Sequence, residues 1–205
     1  MTKLIHSVCV YCGASSDVPD FYKQSIQELG RRLAELKKTV VYGGGSVGTM
    51  GLLAEAALEA GGDVIGIIPE HIIKREGMEH ELTELHVVDS MHSRKMMMVE
   101  KSDAFISMPG GMGTLDETFE ILTWKYLKLH NKPVILGNID NYWTPMIGLL
   151  NNMIKVGYTP KHHLDLFDEA TDIDQMIEFI NSYDAVSYTH LRAHETREDR
   201  VCRLV

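Results

Sequence analysis

Cysteine is scarce in this chain, and the scarcity excludes two classes at once. Three cysteines in 205 residues cannot build the disulfide framework of a small secreted domain. Cys9 and Cys12 form a Cys-x-x-Cys, yet no second pair lies nearby to complete the four ligands of a structural zinc site. Cys9 also falls inside the apolar run 8–11, whereas a thioredoxin-like pair should open a helix. Both read as ordinary half-buried thiols. Long apolar runs are missing too: none approaches the length of a membrane helix. The first residues lead straight into a strand with no secretory h-region. No membrane partner and a cytoplasmic location are therefore expected. Basic charge is in deficit, with 20 Lys and Arg against 29 Asp and Glu and a formal net charge of -9. A nucleic-acid binder usually presents a basic face, so no nucleic-acid partner is expected. Internal repeats and low-complexity linkers are absent. What remains is 44% hydrophobic and 24% charged, the make-up of a soluble globular protein with length for one full core.

Apolar periodicity divides the chain into alternating strands and helices. Strands are expected at 4–11, 39–42, 63–68, 84–88, 103–106, 133–136 and, as a short last one, 164–169. Helices are expected at 19–36, 49–60, 91–101, 115–127, 143–156 and 173–182. Gly61-Gly62 ends the second helix, Ser90 is the N-cap of the third, and 69–80 reads as polar and irregular. Met96-Met97-Met98 reads as flexible core filling. Strand-loop-helix units in series indicate α/β architecture with a parallel sheet and crossover helices. Such sheets bind ligands at the carboxyl ends of their strands. The loops 12–16, 43–51 and 108–113 all fall at that edge.

Two of these loops are rich in glycine. In Pro109-Gly110-Gly111-Met112-Gly113-Thr114-Leu115-Asp116-Glu117, a glycine turn links a strand to a helix. Glycines let the backbone approach an anion, and the helix start offers free N–H groups and a favourable dipole. Glu117 has two readings. Thr114-x-x-Glu117 fits a capping box; alternatively, Glu117 is a carboxylate aimed at a sugar beside a bound phosphate. Arg94 and Lys95 lie in the first turn of a helix, where the dipole disfavours positive charge. They are either a solvated basic pair or a charge meant for an anion at the same sheet edge. His162-His163 reads as surface loop, because adjacent histidines do not face the same way, and no metal site is expected.

Taken together, Gly43-Gly44-Gly45-x-x-Gly48, Met91-His92-x-Arg94-Lys95 and Pro109-Gly110-Gly111-x-Gly113-Thr114-x-x-Glu117 resemble the Lonely-guy (LOG) family. Its members are cytokinin riboside 5′-monophosphate phosphoribohydrolases, long labelled lysine decarboxylases. The resemblance runs from about Lys3 to Ser182. It implies a Rossmann-like three-layer sandwich with a mostly parallel central sheet, a homodimer, and hydrolysis of the N-glycosidic bond of a nucleoside 5′-monophosphate such as AMP or a cytokinin riboside 5′-monophosphate. It makes Arg94 and Glu117 the catalytic pair. It assigns substrate contacts to Glu76, Lys95, Gly110, Gly111, Met112, Gly113, Thr114, Leu115, Asp116 and Thr123, with Ser15, Gly43, Gly44, Gly45 and Gly48 in supporting loops. Glu76 within Lys74-Arg75-Glu76, and Thr123, rest on the resemblance alone. Thr49 departs from the Leu usual in the family's second loop. No cofactor is implied.

The chemistry suits these residues. Cleaving a glycosidic bond builds positive charge on the ribose, which a nearby carboxylate stabilises while it positions or deprotonates water. Two rivals stand beside this reading: a nucleotide or cofactor carrier without turnover, and a pyridoxal-phosphate-dependent lysine decarboxylase, which would need a Schiff-base lysine that nothing here singles out. The enzyme domain is expected to span 1–183. From about Ala185 onward the chain lacks an apolar face and resembles translated vector sequence. Residues 184–205 are therefore read as a non-native tail and left out of the functional argument.

Overall fold

Short apolar and β-branched runs set the strands, and amphipathic stretches set the helices that cover them. The computed structural model describes residues 4–76 and 81–183. In order these are β1 (Ser7–Tyr11), α1 (Asp20–Glu35), β2 (Thr39–Tyr42), α2 (Gly48–Glu59), β3 (Val64–Pro69), α3 (Glu70–Glu76), β4 (Glu84–Val88), α4 (Met91–Glu100), β5 (Ala104–Ser107), α5 (Met112–Tyr126), β6 (Val134–Gly137), α6 (Thr144–Lys155), β7 (Asp168–Ala170) and a last helix, α7, at 173–183. The strands form a single sheet in the order β4-β3-β2-β1-β5-β6-β7, with every neighbouring pair parallel. This is the Rossmann-like α/β architecture expected from the sequence.

Alternation along each strand feeds two cores, because successive strand side chains point to opposite faces. Val8 and Val10 of β1, Val40 and Tyr42 of β2 and Ile106 of β5 pack on one face with Ile26, Leu29 and Leu33 of α1, Leu53 of α2 and Met176 of α7. Cys9, Tyr11, Val41 and Phe105 turn to the other face, against Met98 of α4 and Ile121 and Leu122 of α5. Cys9 is therefore a core residue with no exposure, more enclosed than the half-buried thiol expected. Of the three consecutive methionines only Met98 is fully buried, while Met96 is exposed.

Chain order places a ligand site. The chain builds outward from β1 to β4 on one side, then returns to the other side of β1 as β5. The crevice at the carboxyl end of β1 and β5 is thus the topological switch point, where open α/β sheets bind ligands.

Three expectations are corrected. The stretch 69–80 is not wholly irregular: Glu70–Glu76 is helical, stabilised by a Lys74–Glu70 pair at i,i+4, 2.7 Å apart. Residues 77–80 lie outside the described residues. The expected strand 164–169 is mostly a 3-10 turn, Lys161–Leu166, and only Asp168–Ala170 pairs with β6. His162 and His163 lie in that turn, with His163 ring-packed on Tyr126. Finally, α5 begins at Met112, three residues earlier than periodicity suggested. Met112 and Gly113 are both exposed, so the helix start carries no apolar signal. Among the described residues no helix is long and apolar enough to cross a membrane.

Candidate active site

The switch-point crevice is a cavity of about 660 Å³. Its walls come from loops at the carboxyl ends of β1, β2, β3 and β5, the first turns of α4 and α5, and Tyr142 before α6.

Glycine content is explained position by position. A side chain at Gly43 would put its Cβ 1.8 Å from Arg94 Nη2, so the guanidinium occupies the volume that any larger residue there would need. At Gly110 a Cβ would meet Thr114 Oγ1 at 2.1 Å. Gly44 and Gly48 turn the chain with φ of 74° and 65°, which L side chains rarely adopt. At Gly111 and Gly113, by contrast, a Cβ would meet nothing within 4 Å. The packing of the folded chain does not require glycine at these two positions.

The start of α5 is uncapped. Its N-cap is Gly111, no side chain caps it, and its first turn holds no acid. The N–H groups of Met112, Gly113 and Thr114 have no partner one turn back in the helix, and the dipole makes this end attractive to a phosphate. This corrects the capping-box reading of Thr114 and Glu117. Thr114 lies inside the helix, and its Oγ1 donates to the Cys12 carbonyl 3.0 Å away, tying α5 to the loop after β1. Glu117, six positions past the N-cap, cannot reach back to it.

Glu117 is instead one half of a buried ion pair. Arg94 Nη1 lies 3.2 Å from Glu117 Oε1, with the two side chains 12% and 8% exposed. Arg94 Nε donates to the Ile67 carbonyl at 3.1 Å, which fixes the guanidinium against β3. Burial pushes the Glu117 carboxyl up to about 7, with the neighbouring Arg94 charge opposing the shift. A carboxyl that titrates near neutrality beside an anion cradle suits general-base and electrostatic work at physiological pH.

The expected site residues separate in space. Arg94, Glu117, Gly110, Gly111, Met112, Gly113, Thr114, Ser15, Gly43 and Gly45 all line the cavity. Gly44 and Gly48 shape the loops behind it, as their contacts with Ile68 and Ala14 indicate. Lys95 points elsewhere: its Nζ pairs with Asp116 Oδ2 at 3.1 Å and Glu120 Oε1 at 3.0 Å, bridging α4 to α5. Leu115 packs on the third core cluster with Trp143, and Thr123 is an exposed residue of α5 away from the cavity lining. Glu76 ends α3, and its side chain lies outside the described residues.

Sequence reasoning missed Thr49, Tyr22 and Tyr142. Thr49 Oγ1 donates to the Gly13 carbonyl at 2.8 Å and accepts from the Gly13 N–H at 2.9 Å, clasping the loops after β1 and β2 together. Its departure from the usual Leu was the one available signal. Tyr22 and Tyr142 form an aromatic wall, ring edge to ring face at 5.7 Å, and neither lies in a motif. Among the described residues, no group of three or more His, Cys, Asp and Glu side chains is arranged to hold a metal ion.

The chain is similar to known proteins over most of its length. Residues 50–180 match the family model described as possible lysine decarboxylase. The chain is 48% identical over 177 residues to a cytokinin riboside 5′-monophosphate phosphoribohydrolase of Rhodococcoides fascians, covering 86% of this chain and 89% of that one. It is 36% identical over 180 residues to cytokinin riboside 5′-monophosphate phosphoribohydrolase LOG5 of Arabidopsis thaliana, covering 88% and 79%. Among solved structures, the molybdenum cofactor carrier protein of Chlamydomonas reinhardtii superposes with a TM-score of 0.66 at 21% identity, covering 87% of this chain and 98% of that one. That last likeness shows the fold alone. With relatives of this identity matched over most of its length, the chain belongs to the Lonely-guy family of cytokinin riboside 5′-monophosphate phosphoribohydrolases.

Proposed function

We propose that this protein hydrolyses the N-glycosidic bond of a nucleoside 5′-monophosphate, AMP or a cytokinin riboside 5′-monophosphate, giving the free base and ribose 5-phosphate. The observation that carries the reading is the buried Arg94–Glu117 pair beside the uncapped start of α5. The phosphate sits on the N–H groups of α5, and Gly111 and Gly113 leave it room. This anchor supplies binding energy remote from the reacting bond and holds the ribose against Glu117. As the bond to the base lengthens, positive charge grows on the ribose, and the Glu117 carboxylate stabilises it and orients or deprotonates the attacking water. Arg94 holds the carboxylate in place. The water adds its hydroxyl to the ribose carbon, and its proton leaves through Glu117 towards the departing base.

The reading uses no metal and no cofactor, and it takes the protein as a cytoplasmic homodimer. The test is to incubate purified protein with AMP and with isopentenyladenosine monophosphate, with and without EDTA, and to identify the products. Free base and ribose 5-phosphate in equal amounts, unaffected by the chelator, are expected. Loss of activity with EDTA and its return with a divalent ion would overturn the metal-free mechanism. Binding without turnover would favour the carrier reading. The decarboxylase reading has no candidate for its essential group, since among the described residues no lysine lines the cavity and Lys95 is held by two carboxylates. An aldimine absorbance band on adding pyridoxal phosphate would revive it.

A further inference from the structure

Between β6 and α6 the backbone does something unusual. Asp140 and Asn141, adjacent and neither of them glycine, both take the left-handed conformation, with φ of 50° and 60°. Asp and Asn tolerate this region best, yet two in succession persist only where the surroundings hold them. Asn138, 1% exposed, does the holding: its Oδ1 accepts from the Trp143 N–H at 2.6 Å, and its Nδ2 donates to Thr144 Oγ1 at 3.1 Å and Glu169 Oε1 at 2.5 Å.

The strained turn delivers two aromatic side chains to one loop. Trp143 Nε1 donates to the Ser107 carbonyl at 3.1 Å, and Tyr142 OH donates to the Gly110 carbonyl at 2.7 Å. These acceptors are the two ends of the segment that leads from β5 into α5. The Tyr142 ring is braced edge-on by Trp143 at 4.9 Å and by Tyr22 at 5.7 Å. In a trans peptide the carbonyl and the following N–H point in opposite directions. Holding the Gly110 carbonyl toward Tyr142 therefore sets where the Gly111 N–H points, immediately before the free N–H groups of α5.

We propose that Tyr142 is a positioning residue for phosphate binding: its hydroxyl fixes the 110–111 peptide so that the Gly111 N–H joins those of Met112 and Gly113 on the substrate phosphate. The proposal rests on the functional reading above. Tyr142 acts through the peptide and does not act on the glycosidic bond.

The test is Tyr142→Phe, which keeps the ring and its packing and removes only the hydroxyl. Ribose 5-phosphate binding and adenine binding are measured by calorimetry, AMP hydrolysis by steady-state kinetics and folding by thermal melting. Ribose 5-phosphate is expected to bind about three- to tenfold more weakly, the size of one neutral hydrogen bond. The KM for AMP should rise by a similar factor with kcat nearly unchanged, because the phosphate anchor is the same in ground and transition states. Adenine binding should not move. Unchanged ribose 5-phosphate binding overturns the proposal. So does an equal loss of adenine binding, with or without a lower melting temperature, because a general loosening of the site would then explain both. If wild-type protein cleaves AMP and binds ribose 5-phosphate while the variant matches it, this inference alone fails. If wild-type protein does neither, the functional reading fails and takes this inference with it.

Discussion

Two influences meet on the carboxyl of Glu117. Burial favours its neutral form, and Arg94 favours its charged form; burial prevails and places the titration at about 7. The ionised form is the one the mechanism needs, so kcat/KM for AMP should climb as pH rises through about 7 and level off above it. The substrate phosphate titrates near 6, so the assignment is checked by a direct carbon NMR titration of Glu117 in the free protein. The sign for stability is opposite. A carboxyl whose pKa is raised by folding stabilises the folded state most below its unfolded value and loses that contribution as pH rises from about 4.5 to about 7. Glu117→Gln, which removes the charge, should therefore melt no lower than wild type at pH 8, gain less relative to it at pH 5, and lose turnover by about two orders of magnitude or more. Wild-type turnover in this variant would sink the mechanism. Gly111→Ala is the complementary test: beyond its chain neighbours no protein atom lies within 4 Å of the added methyl, so any drop in melting should be confined to the small cost of Ala at an N-cap while ribose 5-phosphate binding falls. The identities of Glu117 and Arg94 as a pair were legible in the sequence through the motifs around them. The side of the argument that needed structure was Thr114, whose hydroxyl looks like a cap in sequence and is a tie to Cys12 in space.

At the scale of elements, the cavity depends on loops held by side chains from other elements. Thr49, at the second position of α2, satisfies both backbone groups of Gly13 with one hydroxyl. Thr49→Val keeps the shape and removes the hydroxyl, leaving the part-buried Gly13 N–H without its partner, while the Gly13 carbonyl keeps the Met50 N–H at 3.3 Å. We expect a loss of about 1–3 kcal/mol in chemical denaturation, together with a raised KM for AMP. Asn141→Val places a β-branched residue at φ of 60° and should cost about 1–2 kcal/mol; a neutral result would show that the turn is not held. Strands and long helices were legible because the apolar period repeats over enough residues to be unambiguous. The elements missed were short or defined by polar contacts. Glu70–Glu76 owes its helix partly to an ion pair, and Lys161–Leu166 is a tight turn with no fully buried residue. The roles of Tyr22 and Tyr142 were illegible because the contacts that place them at the cavity, Tyr22 with Tyr142 and Tyr142 with Gly110, join positions far apart in sequence.

For the whole molecule, light scattering at micromolar concentration should return the mass of a homodimer, and a monomer would count against that reading. Adenosine should be a far poorer substrate than AMP, since it lacks the group that anchors on α5; equal turnover of the two would remove the phosphate cradle from the mechanism. The sequence boundary proposed for the domain has a sharper version. Tyr183 donates its hydroxyl to Asp168 Oδ2 at 2.7 Å and packs against the first core cluster, so it belongs with the body. A chain ending at Tyr183 should melt like the full chain, whereas one ending at Ser182 should melt measurably lower. The contact between Gly43 and Arg94 carries one more consequence, for how this sequence can vary. The two positions come from different strand-loop units, 51 apart in number, yet they share a single volume: the guanidinium of one occupies the side-chain space of the other. Information at position 43 is therefore not independent of information at position 94. A side chain gained at 43 has to displace the guanidinium at 94 from its place beside Glu117, so a substitution at one of these positions is felt at the other two.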